Sequence, residues 1–185
     1  MKVFISGSRT ISRLSADIRR RLDRVVEKSF PIVVGDANGA DKAVQKYLLS
    51  KNYNLVEVFC AGDECRNNLG HWPIRSVRPE NKRKDFDFYA SKDRAMAEES
   101  TYGLMIWDGK SLGTLMNTLR LISRGKMAAV YVESKKQFVD VKDWNDWEWF
   151  VANNASEMKS RLDRQARIEK QDAASHGQID IFQRA

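Results

Sequence analysis

Three short stretches carry the residue types that hold a phosphate. They are "GSRT" (Gly7 to Thr10), "GDANGAD" (Gly35 to Asp41) and "DGKSLGT" (Asp108 to Thr114). Glycine lets the backbone approach an anion closely, serine and threonine hydroxyls donate to it, and Arg9 and Lys110 supply charge. Each stretch follows a short apolar run and precedes residues at helical spacing. The free N–H groups and dipole of a helix N-terminus would therefore face the loop. The candidate ligand-binding residues in these loops are Gly7, Ser8, Arg9, Gly35, Asp36, Gly39, Asp41, Asp108, Gly109, Lys110, Ser111, Gly113 and Thr114. Asp41 also suits a cap or first-turn position of its helix, and that reading is preferred. Asp36 is open between a ribose hydroxyl and a metal. Trp107, at a strand end, is read as a core aromatic rather than a base-stacking platform.

The loops need elements to carry them. "KVFIS" (Lys2 to Ser6), "PIVVG" (Pro31 to Gly35), "NLVEVFC" (Asn54 to Cys60), Tyr102 to Trp107 and "MAAVYV" (Met127 to Val132) are short, nearly continuous apolar runs, as in strands buried on both faces. Between them, Ile18, Leu22, Val25 and Val26 predict a helix from Ser15 to Lys28. Ala40, Ala43, Val44, Tyr47 and Leu48 predict a second, "YASKDRAMAEES" (Tyr89 to Ser100) a third, and Leu112, Leu115, Leu119 and Ile122 a fourth. The arginines at 19, 20, 21 and 24 read as a solvated face. Alternation of this kind predicts an α/β fold, a Rossmann-like parallel sheet of about five strands with helices on both faces. Right-handed crossovers would bring the three loops to one edge, where ligands bind in open α/β sheets.

With 185 residues and 42% hydrophobic content the chain suits one domain with an appendage. No apolar run is long enough to cross a bilayer, and the N-terminus enters a strand directly, so no membrane span and no signal peptide are expected. Two cysteines form no disulfide framework, and reduced thiols in a cytoplasmic protein are the expectation. Cys60, Cys65 and His71 lack a fourth ligand at zinc spacing, so no metal and no cofactor is expected. The net charge of +7 favours anionic ligands or nucleic acid. The segment from Ala61 to Phe88 is too long for a passive connection and carries Arg66, Arg75, Arg78, Lys82, Arg83 and Lys84. This basic loop, 66–84, reads as a lid over a phosphorylated ligand, a nucleic-acid surface or a solvated loop. From Asp143, Trp144, Trp147, Val151, Ala155, Met158 and Leu162 form a helical stripe that would pack on the domain and become an exposed extension near Lys159. The predicted organisation is a domain at 1–135, a helical extension at 136–175 and a tail at 176–185. An apolar helix face would also serve a homodimer.

"ISGSR", "VVGDANGAD", "KDRAM" and "GKSLGT", in this order, resemble the SLOG superfamily, which includes the Lonely Guy phosphoribohydrolases and the DNA-processing A proteins. The resemblance covers roughly Met1 to Val132 and implies a Rossmann-like fold that binds a nucleotide or nucleotide-derived ligand. In Lonely Guy enzymes a loop similar to P-G-G-x-G-T-x-x-E ends in a catalytic glutamate; aligned on Gly113 and Thr114, Asn117 stands in its place. An Arg-Lys pair upstream corresponds to Lys92 and Asp93. The resemblance thus adds Lys92 and Asn117 to the ligand set; the catalytic residues are unknown, with Asp93 and Lys92 from the matched pair and Asp36 from another loop as candidates.

The tail "QIDIF" is similar to the bacterial sliding-clamp-binding pentapeptide. That resemblance implies a hydrogen bond to the clamp from Gln178 and entry of Ile181 and Phe182 into its apolar pocket, with Ile179 and Asp180 between them, as an extended peptide. Three functions are expected in this order: nucleotide binding without hydrolysis, with a tether to the clamp; a nucleoside 5′-monophosphate N-glycosidase; and a nucleic-acid-associated scaffold.

Overall fold

A computed structural model describes residues 1–79 and 83–175. The expected α/β, Rossmann-like architecture is present. The strands are β1 (Val3–Gly7), β2 (Ile32–Gly35), β3 (Val56–Ala61), β4 (Ile74–Val77), β5 (Tyr102–Trp107), β6 (Met127–Val132) and β7 (Gln137–Val141). The helices are α1 (Ala16–Glu27), α2 (Ala40–Ser50), α3 (Phe86–Glu99), α4 (Leu112–Ile122), α5 (Trp144–Asn154) and α6 (Lys159–Ser175). Seven strands form one sheet in the order β4-β3-β2-β1-β5-β6-β7. All neighbours are parallel except β6 and β7.

Two strands therefore exceed the expected five. β4 lies in the basic segment 61–88, where exposed Ile74, Arg75 and Ser76 hide an edge strand from any apolar count. β7 is half-exposed and follows β6 through a single 3₁₀ turn, with Lys136 at φ 53°. It draws the sheet past residue 135 into the segment expected to be wholly helical.

Strand alternation divides the core in two. Val3 and Ile5 join Ile18, Leu22, Val44 and Leu48 from α1 and α2 on one face. Phe4, Met105 and Val130 join Met96, Leu115, Phe150 and Leu162 from α3, α4, α5 and α6 on the other. The tryptophan helix packs as expected, Trp147 and Phe150 stacking with rings 6.2 Å apart. The chain beyond Lys159 does not become an exposed extension. Leu162 and Glu169 are buried, so α6 covers α4. Among the described residues, no helix is long and apolar enough to cross a membrane.

Chain order reverses between β1 and β5: β1 to β4 fill one side of the sheet, and the chain then returns across β1 to start the other. The gap left beside the carboxyl ends of these two strands is the topological switch point, where open α/β sheets form a crevice.

Candidate functional site

The crevice exists as a cavity of about 610 Å³. Gly7, Arg9 and Thr10 line it after β1, Asp41 after β2, and Asp108, Lys110, Ser111, Gly113 and Thr114 after β5. The three loops thus meet as expected, joined by Lys92 and Asn117.

The loop after β5 is organised by its acid. Asp108 Oδ1 accepts the N–H groups of Lys110 (2.9 Å) and Ser111 (2.8 Å), and Oδ2 accepts the Thr10 hydroxyl at 2.6 Å. Burial disfavours its charge, but these donors outweigh burial and hold the Asp108 carboxyl below the usual carboxylate range. Gly109, at φ 90°, permits the turn. Ser111 caps α4, accepting the Thr114 N–H at 3.4 Å. The first-turn amides of Leu112 and Gly113 have no helical acceptor. A Cβ built on Gly113 meets nothing within 4 Å, so its face of α4 is open. This is the geometry of an anion site: free N–H groups, a dipole and an uncluttered approach.

Ser8 ties the loops together. Its carbonyl accepts the Ala40 N–H at 3.1 Å, its hydroxyl accepts the Asp108 N–H at 3.0 Å, and the hydroxyls of Ser8 and Thr114 are 3.4 Å apart. The first turns of α2 and α4 therefore abut on one residue. The ligand expectation for Ser8 becomes a bridging role: it is fully buried behind the cavity. Gly7 and Gly39 serve close packing. A Cβ on Gly7 would lie 2.6 Å from the Ala40 Cβ and the Ile106 carbonyl, and one on Gly39 would strike the Arg9 backbone.

The acids of the second loop part company. Asp36 is locked in place: Arg66 donates from its backbone N–H (3.0 Å), Nε (2.9 Å) and Nη2 (2.5 Å). Burial opposes its charge, and the Arg66 bonds prevail and keep its carboxyl below the usual range. Asp36 is thus an anchor for the 62–72 segment, and Asn67 adds a bond to the Asp36 carbonyl at 2.7 Å. Asp41 stands in the first turn of α2, as expected, while Gly39 holds the cap position without a side-chain bond. One oxygen, Oδ2, accepts the Ala37 N–H at 3.2 Å; the other, Oδ1, has no partner. Burial pushes the Asp41 carboxyl up to about 6, against the pull of Lys92. Gly35 makes room for this pair: a Cβ there would overlap Asp41 Oδ2 and stand 2.7 Å from Lys92 Nζ.

Lys92 is buried on the cavity floor and bonds Asp93 at 2.7 Å. Burial works against its charge, but Asp93 and Asp41 outweigh it and raise its pKa. Asn117 donates to Asp93 (3.2 Å) and Ser6 (3.1 Å), and its carbonyl accepts Arg120 at 2.5 Å. Arg120 is itself fully buried and paired with Glu169 of α6. A chain of polar contacts therefore runs from the C-terminal helix to the cavity floor.

Sequence reasoning reached Arg66 and Lys84 through the basic loop 66–84 but missed Asp85, Phe86 and Tyr89 on the rim. Lys84, Asp85, Phe86 and Tyr89 line the cavity from the start of α3, which begins three residues before the expected Tyr89. Arg9 and Arg66 both lie over the Tyr89 ring, at 5.3 and 4.5 Å. The signal was the length of the 61–88 segment, which brings Arg66 and Lys84 to the cavity as a lid would. Arg75 turns elsewhere and pairs with Glu57 and Glu99 on the sheet edge. Lys82 lies outside the described residues. Trp107 is buried, its indole N–H donating to the Ser111 carbonyl at 3.2 Å, so it is core and supports the loop from behind.

The thiols are not reduced. Cys60 and Cys65 are joined as a disulfide, because β3 and the segment leaving it fold back on each other. Donor atoms of Asp36, Cys60 and Cys65 lie within 4.8 Å of one another. The sulfurs bond each other and the carboxylate is held by Arg66, so the trio as it stands is not a set of free ligands. Gln178, Ile179, Asp180, Ile181 and Phe182 lie outside the described residues. Comparison with family models, curated proteins and solved structures found no match for this chain.

Proposed function

We propose that the chain binds a nucleotide or nucleotide-derived ligand in the cavity beside β1 and β5 and does not hydrolyse it. The observation that carries this reading is the open first turn of α4, where free amides stand beside Ser111 and Thr114 and are ringed by Arg9, Lys84 and Lys110. Loss of a base from ribose 5′-phosphate builds positive charge on the sugar and needs a free carboxylate. Asp36 is committed to Arg66, and Asp93 is bonded by Lys92 and Asn117; Asp41 keeps one oxygen without a protein partner, so Asp41→Asn joins Asp93→Asn in the test. Asn117, where the resembled enzymes carry glutamate, is neutral and saturated with protein partners.

Calorimetry against ribonucleoside 5′-monophosphates, with chromatography of the same mixtures after hours, tests both halves of the reading. Binding without free base is the expected result. Steady release of base that disappears in Asp93→Asn or Asp41→Asn would replace it with the N-glycosidase alternative, which Asp93's place on the cavity wall favours over Asp36.

The clamp-like tail adds a second element to the reading: the ligand-binding domain is tethered to the sliding clamp through Gln178 to Phe182. Deleting residues 176–185 should abolish clamp binding in a pull-down. Retained binding would remove the tail from the reading.

A further inference from the structure

We propose that Asp41 is the specificity-determining residue of this cavity: its free oxygen takes a hydroxyl or N–H donor carried by a phosphorylated ligand. The inference rests on the nucleotide reading above and adds which atom selects the ligand.

Asp41 is 3% exposed and stands on the cavity wall. Among the described residues no donor reaches Oδ1, an oxygen with almost no accessible surface of its own. Buried carboxylate oxygens are ordinarily bonded, and one left over calls for an explanation. Packing alone does not supply it. Among the described residues the side chain's one hydrogen bond goes through Oδ2 to Ala37, which an amide oxygen would serve equally. The buried Lys92 ammonium beside the carboxylate makes a cation a poor occupant and a neutral donor a good one.

Ser8 brings the two ends of the ligand site together. It holds the first turn of α2 by its carbonyl and touches Thr114 of α4 by its hydroxyl. The first turns of α2 and α4 thus meet at Ser8, so one ligand can place a phosphate on the α4 amides and a donor on Asp41. The sugar hydroxyl is the expected source, with an amino group on the base as the other. The second sign is energetic. Burial disfavours the charged form of Asp41, so the unliganded protein carries it at a cost, as functional groups often are.

Calorimetry with AMP, 2′-deoxy-AMP and purine riboside 5′-monophosphate separates the two sources, since the last lacks the amino group. The wild type should bind 2′-deoxy-AMP about tenfold more weakly than AMP, the size of one hydrogen bond to a charged acceptor. A tenfold loss with purine riboside 5′-monophosphate instead would keep the proposal and assign the donor to the base. In Asp41→Asn either ratio should shrink to about twofold, while the melting temperature of the unliganded variant does not fall. Ratios near one in both arms for the wild type would overturn the proposal and leave the nucleotide reading standing. So would a variant that melts lower and binds all probes more weakly but keeps the ratio, because that describes a structural residue. No binding of AMP at all would overturn both.

Discussion

At the scale of single residues the cavity separates groups that hold the fold from groups left free to act. Gly113 is free: its position faces open space, and it has ordinary helical backbone. Gly113→Val should fold with a melting temperature close to the wild type and lose nucleotide affinity at least about tenfold, since the side chain would fill the approach to the amides. Unchanged affinity in calorimetry would move the ligand off α4. Asp41 makes a different prediction, because its folded pKa of about 6 lies above the ordinary 3.8. The native state binds more protons than the unfolded chain between those values, so this group's contribution to stability declines as pH rises through that window. Lys92, Asp93 and Asp36 face it and set the size of the effect. Asn does not titrate, so the melting temperature of Asp41→Asn minus that of the wild type should become more positive from pH 4 to pH 7. A difference that stays flat, or reverses, would mean that Asp41 is not held at a raised pKa.

At the scale of elements, α6 is the surprise. Its sequence is rich in Arg, Lys, Asp and Gln, and reads as an exposed extension from near Lys159. Besides Leu162 and Ala166, which pack on the core, it is held by a buried ion pair, Arg120 to Glu169, with Arg94 3.9 Å from the same carboxylate. Removing one partner of such a pair leaves an unpaired charge in the core. Glu169→Ala should cost about 3–5 kcal/mol and lower the melting temperature by on the order of 10 °C. A change of only a degree or two by calorimetric scanning would mean that α6 swings away with its charge. The same pair explains what was legible in the sequence. The central strands β1, β2, β3, β5 and β6 announce themselves as apolar runs because both faces are covered. β4 and β7 are edges, half-polar and short, and carry no such signal. The three glycine-rich loops that line the cavity were legible because glycine and hydroxyls recur at fixed places after strands. The Arg66–Asp36 lock, the Lys92–Asp41 neighbourhood and the Arg120–Glu169 pair were not, because each joins residues 30 to 51 positions apart (66 − 36 = 30, 92 − 41 = 51, 169 − 120 = 49) and only the fold brings them together. The disulfide was missed for the opposite reason. Its partners are five residues apart, and composition spoke for reduced thiols until the turn out of β3 was seen.

At the scale of the whole molecule, the cavity is where the two halves of the sheet meet. β1 and β2 with their loops belong to one half, β5 and α4 to the other, and α3 crosses between them carrying Lys92 and Asp93. A ligand that touches all of these binds the folded state and not the unfolded chain, so it must stabilise the entire domain by mass action. At a free concentration about a hundred times its Kd the gain is about 2.7 kcal/mol, which for a chain of this size raises the melting temperature by roughly 5–10 °C. The shift should be single and cooperative, since α6, α4 and the cavity floor are linked through Arg120, Asn117 and Asp93. Removal of residues 176–185 should leave it unchanged, while Gly113→Val should cut it to about half or less without moving the unliganded melting point. A ligand-induced shift confined to one of two transitions would mean that the C-terminal helices unfold apart from the sheet. In that case the polar chain between α6 and the cavity would not couple them.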